Sequence, residues 1–288
     1  MSPRTYSVSE VAAVAGVAPS TIRSWEARYG FPASSRTPGR HRRYTDTEVE
    51  QVRGLVEEMR RGRPVRKAIE ALRARTEADP AADAEVREVL RGAMRVDPAR
   101  VQRTLDGSSL GAGVEATIES VLLPALREIG RWVETGAASV ANERAASDGV
   151  QRWLAKLHAL SPPPFRDKTI LFATAPDELH TLGLECLALL MARRGWAAVQ
   201  LGAMTPADVL AGGAEQAGAD AVVLSSHRAA TRRSAIEAAR SVVRFSRVPV
   251  FYGGDGFLDP AARVPMPGRY LADTIPAAVG ALEAALAS

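Results

Sequence analysis

Apolar residues recur at helical spacing through the middle of the chain, as at Val114, Ile118, Val121, Leu122, Ala125 and Ile129. Steps of three and four place such a set on one face of a helix. The stretch from about 79 to 159 is nearly free of Pro and rich in Ala, Val, Leu, Glu and Arg, which predicts a bundle of several helices. The run Ser161-Pro162-Pro163-Pro164 cannot continue a helix and marks a linker. Beyond it the pattern changes. Short apolar runs at 169–174, 197–201, 221–225 and 249–252 alternate with helical stretches at 181–194, 206–217 and 230–243. That alternation predicts βαβ units and a Rossmann-like, doubly wound parallel sheet.

The N-terminal part is built from short pieces with clear end signals. Ser7-Val8-Ser9-Glu10 is a capping-box pattern that opens a helix ending at Gly16. Pro19 suits the first turn of a second helix, over 20–29. Two short helices joined by a Gly-containing turn predict a helix–turn–helix, with Ile22 and Trp25 as core anchors. A basic loop follows, Arg36-Thr37-Pro38-Gly39-Arg40-His41-Arg42-Arg43-Tyr44, with a Pro-Gly turn at its centre. Thr45-Asp46-Thr47-Glu48 is a second capping box and starts a third helix. The chain therefore reads as multidomain, α and α/β: a winged helix–turn–helix at 1–75, a helical bundle at 76–160 and the α/β domain at 161–288.

Charge sharpens this division. Residues 1–75 hold 15 Lys and Arg against 8 Asp and Glu, and the remaining residues hold 22 against 25. Positive charge gathered in one small domain is the footprint expected of a phosphate-backbone binder. Hydrophobic content of 46% and charged content of 24% are those of an ordinary globular chain. The single cysteine, Cys186, rules out an internal disulfide and a thiolate-cluster metal site. No apolar run is long enough to span a bilayer, and the first residues have no signal-peptide core, so a cytoplasmic protein without membrane contact is expected.

The order helix, turn, Thr21-Ile22-Arg23-Ser24-Trp25-Glu26-Ala27-Arg28-Tyr29-Gly30, then Gly39 to Tyr44 and a capped helix, resembles the MerR family of regulators over roughly 5–75. The resemblance implies binding to a double-stranded DNA operator and a homodimer or larger assembly. It assigns the DNA contacts to Thr21, Arg23, Arg28 and Tyr29 on the second helix and to Arg40, His41, Arg42, Arg43 and Tyr44 in the wing. One departure is Ala18, where many relatives cap the helix with Ser; its absence costs about 1 kcal/mol.

In the α/β part the sharpest chemical signal is Glu178-Leu179-His180-Thr181-Leu182-Gly183, after the first predicted strand and before a helix. A His there stands at the carboxyl edge of a parallel sheet, where open α/β folds bind ligands. A carboxylate two residues earlier can hold one imidazole nitrogen and leave the other for a metal. The motif resembles the cobalamin-binding fold, whose acidic-x-His-x-x-Gly loop implies His180 as the lower ligand to cobalt, beside Glu178 and Gly183. Ser225 and Ser226 after the third strand, Gly253 and Gly254 after the fourth, and Leu201-Gly202-Ala203-Met204-Thr205-Pro206 after the second follow the same pattern.

A MerR winged helix, a helical segment and a cobalamin fold, in this order, resemble the light-responsive CarH/LitR-type repressors across nearly the whole chain. In that family the bundle carries a Trp-x9-Glu-His pattern against the upper face of adenosylcobalamin. Here Trp132 precedes Glu143 by ten intervening residues, and Arg144 replaces the His. A one-residue shift on a helix rotates a side chain by about 100°, which predicts Trp132 off the ligand-facing stripe. Three readings follow. The first is a regulator that senses cobalamin, as adenosylcobalamin or another form, and controls oligomerisation and operator binding, with the response to light that the resemblance implies. The second is a regulator that senses another tetrapyrrole, or whose cobalamin fold serves only for oligomerisation or protein docking. The third, a cobalamin-dependent enzyme module, needs a catalytic partner domain; no phosphate loop or nucleophile arrangement is recognisable, and no enzyme is expected.

Overall fold

In the computed structural model, which describes residues 5–36, 42–60, 62–76 and 80–287, the chain forms two compact units, Met1–Glu77 and Ala78–Ser288.

The first unit contains α1 (Val8–Ala15), α2 (Pro19–Tyr29), the two-residue strands β1 (Ser35–Arg36) and β2 (Arg42–Arg43), α3 (Asp46–Arg60) and α4 (Val65–Thr76). The first capping box forms as expected. Ser7 Oγ accepts from the Glu10 N–H at 3.3 Å, and the Glu10 carboxylate accepts from the Ser7 N–H at 2.7 Å. Gly16, at φ +68°, ends α1 in the left-handed region that a side chain would strain. Ala18 makes no side-chain cap at the start of α2, and Pro19 fills the first helical position. At the second box the Thr45 N–H and hydroxyl both donate to Glu48, each at 2.5 Å. Val11, Ile22, Trp25, Phe31, Tyr44, Val52 and Leu55 form the buried core of this unit.

The second unit opens with α5 (Pro80–Met94) and α6 (Pro98–Ala112). Next come α7 (Val114–Thr117), a π-helical turn (Ile118–Leu122) and α8 (Leu123–Glu134), then the long α9 (Val140–Ala159). The predicted apolar stripe is real: Ile118, Val121, Leu122, Ala125 and Ile129 are all buried. Asn142 ties two helix ends together. Its Oδ1 accepts from the Ser139 N–H at 2.8 Å, while its Nδ2 donates to the Ala93 and Met94 carbonyls at 3.1 and 3.2 Å.

The α/β part holds β3 (Thr169–Thr174), α10 (Leu182–Arg193), β4 (Ala197–Gly202), α11 (Ala207–Gln216), β5 (Ala221–Ser225), α12 (Arg232–Phe245), β6 (Val250–Gly253), β7 (Arg269–Tyr270) and α13 (Ile275–Leu286). All pairings are parallel, in the order β4-β3-β5-β6-β7. The sequence pattern predicts four of these strands and misses β7, whose two residues are too few to show a period, and α13. One face of the sheet packs α11 and α12. The other packs α10 and α13, and its core runs on without a break into the bundle. Val121, Leu122, Trp153 and Leu154 of the bundle share it with Phe172, Leu187 and Leu190. Arg194 reinforces the seam, donating to Glu115 of α7 at 2.8 Å.

Helix α9 packs tightly against α6 at Gly149. A Cβ at Gly149 would lie 2.5 Å from the Pro98 carbonyl oxygen and 2.7 Å from Val101 Cβ. Backbone cannot move aside as a flexible side chain can, so Gly149→Ala should destabilise the second unit by about 2–3 kcal/mol through overpacking. Urea unfolding monitored by circular dichroism checks this; an unchanged midpoint would mean that the two helices are free to separate.

Candidate functional site

The strand order reverses between β3 and β5, and this is where doubly wound sheets open a crevice at their carboxyl edge. The loops after β3 and β5 meet there around one side chain. Glu178 is fully buried and accepts on both oxygens. Oε1 takes the His180 Nδ1–H at 2.5 Å and the His180 backbone N–H at 3.1 Å. Oε2 takes the His227 and Arg228 backbone N–H groups at 2.7 and 3.2 Å and the Thr231 hydroxyl at 2.9 Å. With its proton committed to the carboxylate, Thr231 Oγ1 accepts from Ser226 Oγ at 2.7 Å. The loop after β4 is tied in as well: Thr174 Oγ1 donates to the Glu178 carbonyl at 2.6 Å and accepts from the Met204 N–H at 2.9 Å.

The electrostatics follow from this geometry. Burial pushes the Glu178 carboxyl up, but hydrogen bonds from the His180 side chain and backbone, from the His227 N–H and from Thr231 outweigh it, holding the group far below the usual carboxylate range. The hydrogen bond to Glu178 raises His180; burial opposes this, and the carboxylates of Glu178 and of Glu143 on α9 add to the rise. A carboxylate on Nδ1 fixes the tautomer and turns Nε2 away from the protein. His180 is 54% exposed, and among the described residues its Nε2 has no hydrogen-bond partner.

The remaining expected ligand residues divide into two groups. Ser225 Oγ is buried and has no partner among the described residues. Its register partner is Gly253, where an added Cβ would meet nothing within 4 Å. An orphan hydroxyl thus lies beside an open glycine at the ends of paired strands. Ser226 and Gly254 instead hold the scaffold. Ser226 is fully buried against Thr231, and a Cβ on Gly254 (φ +98°) would lie 2.5 Å from the Ser226 carbonyl oxygen. Gly183 lies in the first turn of α10, where a Cβ would make an ordinary 3.6 Å contact with the His227 ring. Among the described residues no cluster of three or more His, Cys, Asp or Glu is placed to hold a metal ion. A lone imidazole suits a metal that arrives with its own ring of nitrogens. Cys186 is buried in the core, where burial pushes its thiol up.

The argument for a displaced Trp132 fails. Trp132 belongs to α8 and Glu143 to α9, two helices joined by the connection 135–139, so the spacing between them does not fix a rotation about one helix axis. Trp132 and Glu143 are half-buried, and Arg144 is exposed.

On the first unit, Arg23 and Arg28 are exposed on α2, with Thr21 and Tyr29 half-buried. One wing assignment needs correction, and a second residue is engaged within the protein. Tyr44 is fully buried in the core and unavailable to DNA; its hydroxyl is pushed up to about 12 by burial, with Glu26 beside it. Arg42 Nε donates to Glu26, itself on α2, at 2.5 Å, so its charge braces the wing against the second helix. Arg43 is half-buried on β2. Arg40 and His41 lie outside the described residues.

Together these features define a class: a winged helix–turn–helix joined to a corrinoid-type α/β unit. Comparison with known proteins agrees. Residues 6–75 match the MerR HTH family regulatory protein family. The chain is 34% identical over 263 residues to the HTH-type transcriptional repressor CarA of Myxococcus xanthus, covering 88% of this chain and 87% of that protein. It is 31% identical over 225 residues to CarH of the same organism, covering 73% and 75%. The monomethylamine corrinoid protein of Methanosarcina barkeri superimposes with a TM-score of 0.58 at 15% identity, over 68% of this chain and 96% of that one. The chain belongs to the MerR family of transcriptional regulators, as a CarA/CarH-type member with a cobalamin-binding fold. Among the described residues, no helix is long and apolar enough to cross a membrane.

Glu178→Gln would turn an amide NH2 toward backbone N–H groups that only donate, at a fully buried position. It should cost about 3 kcal/mol or more, read as a lowered urea midpoint. The depressed carboxyl also sets a sign with pH. Its stabilisation is present above the ordinary Glu pKa, about 4.3, and is lost as pH falls toward the folded value, so the variant should lose less stability than the parent on acidification. An equal loss would place the acid sensitivity elsewhere. The wing makes its own prediction for DNA. Arg28→Ala should flatten the salt dependence by about 0.9 in log–log slope, whereas Arg42→Ala, already neutralised by Glu26, should leave the slope nearly unchanged. Anisotropy titrations over a salt series separate the two.

Proposed function

We propose that this protein is a DNA-binding regulator that senses cobalamin and whose self-association, and hence operator occupancy, depends on that ligand. The observation that carries the proposal is His180, held by a buried carboxylate at the switch point with its other nitrogen facing outward. His180 would offer Nε2 to cobalt. Ser225 and Gly253 would receive the nucleotide tail, and Trp132 and Glu143 would face the ligand from the bundle. Bound cobalamin would supply a light- and redox-sensitive cobalt centre. Arg144 stands where the resemblance expects an imidazole, and a guanidinium has no lone pair to give a metal. The bundle therefore brings no second nitrogen ligand there, and the proposed response is to the presence of cobalamin, with no dependence on light. A ligand that binds one association state better than another shifts the balance between them, and linked copies engage two half-sites with higher apparent affinity.

The test is to mix the purified chain in the dark with adenosylcobalamin, methylcobalamin or hydroxocobalamin, remove free ligand, and record the visible spectrum and particle size before and after green light. A retained corrinoid band is expected, with a ligand-dependent size that illumination leaves unchanged. His180→Ala should weaken retention at least about tenfold, a loss of about 1.4 kcal/mol. No retained band in the parent would sink the proposal, and a light-dependent size would overturn its light-independent part.

A further inference from the structure

Outside 228–247 the arginines of the second unit are mixed: Arg87, Arg95, Arg144 and Arg193 have no carboxylate within 4.0 Å among the described residues, and others are paired. Arg91, Arg100, Arg103, Arg131, Arg152 and Arg194 each hold an Asp or Glu. The segment 228–247 is different. It carries six arginines (Arg228, Arg232, Arg233, Arg240, Arg244 and Arg247) and one carboxylate, Glu237. The rest of 76–288 has 16 basic and 24 acidic side chains. Only Arg233 finds the local carboxylate, Glu237 at 3.1 Å. Among the described residues the other five have no carboxylate within 4.0 Å.

These charges are also ordered in space. Ala235, Ala238, Ala239 and Val242 turn the inner face of α12 into the core. At 100° per residue, Arg233, Arg240 and Arg244 fall within about 40° of one another on the outer face and span about 17 Å of axis. Between α12 and the 3-10 turn Pro260–Arg263 runs a groove of about 570 Å³, with Arg232, Arg233 and Arg240 on its rim and Ile236 beneath. Backbone carbonyls steady two of these guanidiniums without cancelling their charge. Arg232 Nε donates to the Ala229 carbonyl at 3.3 Å, and Arg240 Nη2 to the Pro265 carbonyl at 3.5 Å.

We propose that the outer face of α12 is a second, sequence-independent contact with the phosphate backbone of duplex DNA, separate from the winged helix. Duplex DNA offers one negative charge per about 1.7 Å of axis, so a stripe of this length runs beside several phosphates at once. Guanidinium forks match phosphate oxygens and are less strongly hydrated than ammonium groups. The polyanion is also already at hand: the first unit brings the chain to DNA, which raises the effective phosphate concentration around every other surface of the same molecule. The contact does not involve the cofactor, so it stands or falls separately from cobalamin sensing.

The test uses the full chain and a duplex several helical turns long, with binding followed by anisotropy over a salt series. Arg233→Gln/Arg240→Gln/Arg244→Gln should make the log–log salt slope shallower by about 2–3 and weaken binding near 0.1 M salt by at least about tenfold. All three side chains are exposed, so thermal melting of the variant should match the parent. The Arg→Lys version of the same triple keeps the charge and should keep most of the slope. An unchanged slope and affinity in the Gln variant overturns the proposal. So does a variant that binds DNA normally but no longer binds phosphatidylglycerol vesicles or a polyglutamate peptide, because the face would then serve a membrane or an acidic protein.

Discussion

A carboxylate with no exposure to water must be matched atom for atom by donors, or it is too costly to keep charged. Glu178 meets that condition by drawing on two separate loops, with Thr231 and Ser226 behind it, while its backbone carbonyl holds a third through Thr174. His180 and the loop after β5 take their positions from this side chain, whereas the β4 loop is held by the Glu178 carbonyl and Thr174, and the β6 loop by backbone hydrogen bonds with Ser226. Breaking such an arrangement by removing one partner costs about 3–5 kcal/mol, a large part of what separates a folded unit of this size from an unfolded one.

Local signals were legible in the sequence, and distant partners were not. Capping boxes, the Pro linker, the βαβ alternation and the Glu-x-His spacing act within a few residues; the structure shows the first box in full, the second only as donation from Thr45 to Glu48, and the other signals as expected. The donors to Glu178 Oε2 lie 49 to 53 positions downstream, and no spacing rule reaches that far. Arg42 looks like a phosphate ligand when it is counted among its basic neighbours, because Glu26 is sixteen residues away on another helix. Tyr44 closes a basic run and reads as part of it, yet its ring fills the core that α1, α2 and α3 leave between them. Trp132 shows the opposite error. Counting along the chain treats α8 and α9 as one helix, and only the loop between them removes the apparent rotation.

Charge in this protein is divided by task. In the bundle, arginine and carboxylate sit three or four residues apart and neutralise each other along exposed helix faces. On α2 the two exposed guanidiniums, Arg23 and Arg28, are set apart by the core anchors Ile22 and Trp25. A net charge of +4 for the whole chain conceals this, because cancellation in one region masks concentration in another.

The unbroken core beneath the bundle has a consequence for how the second unit can move. Trp153 and Leu154 of α9 share buried contacts with the helices that cover the sheet. Raising the bundle like a cover would expose that seam, at about 25 cal/mol for every Å² of apolar surface. Bundle and sheet are therefore coupled, and a push on one is felt by the other.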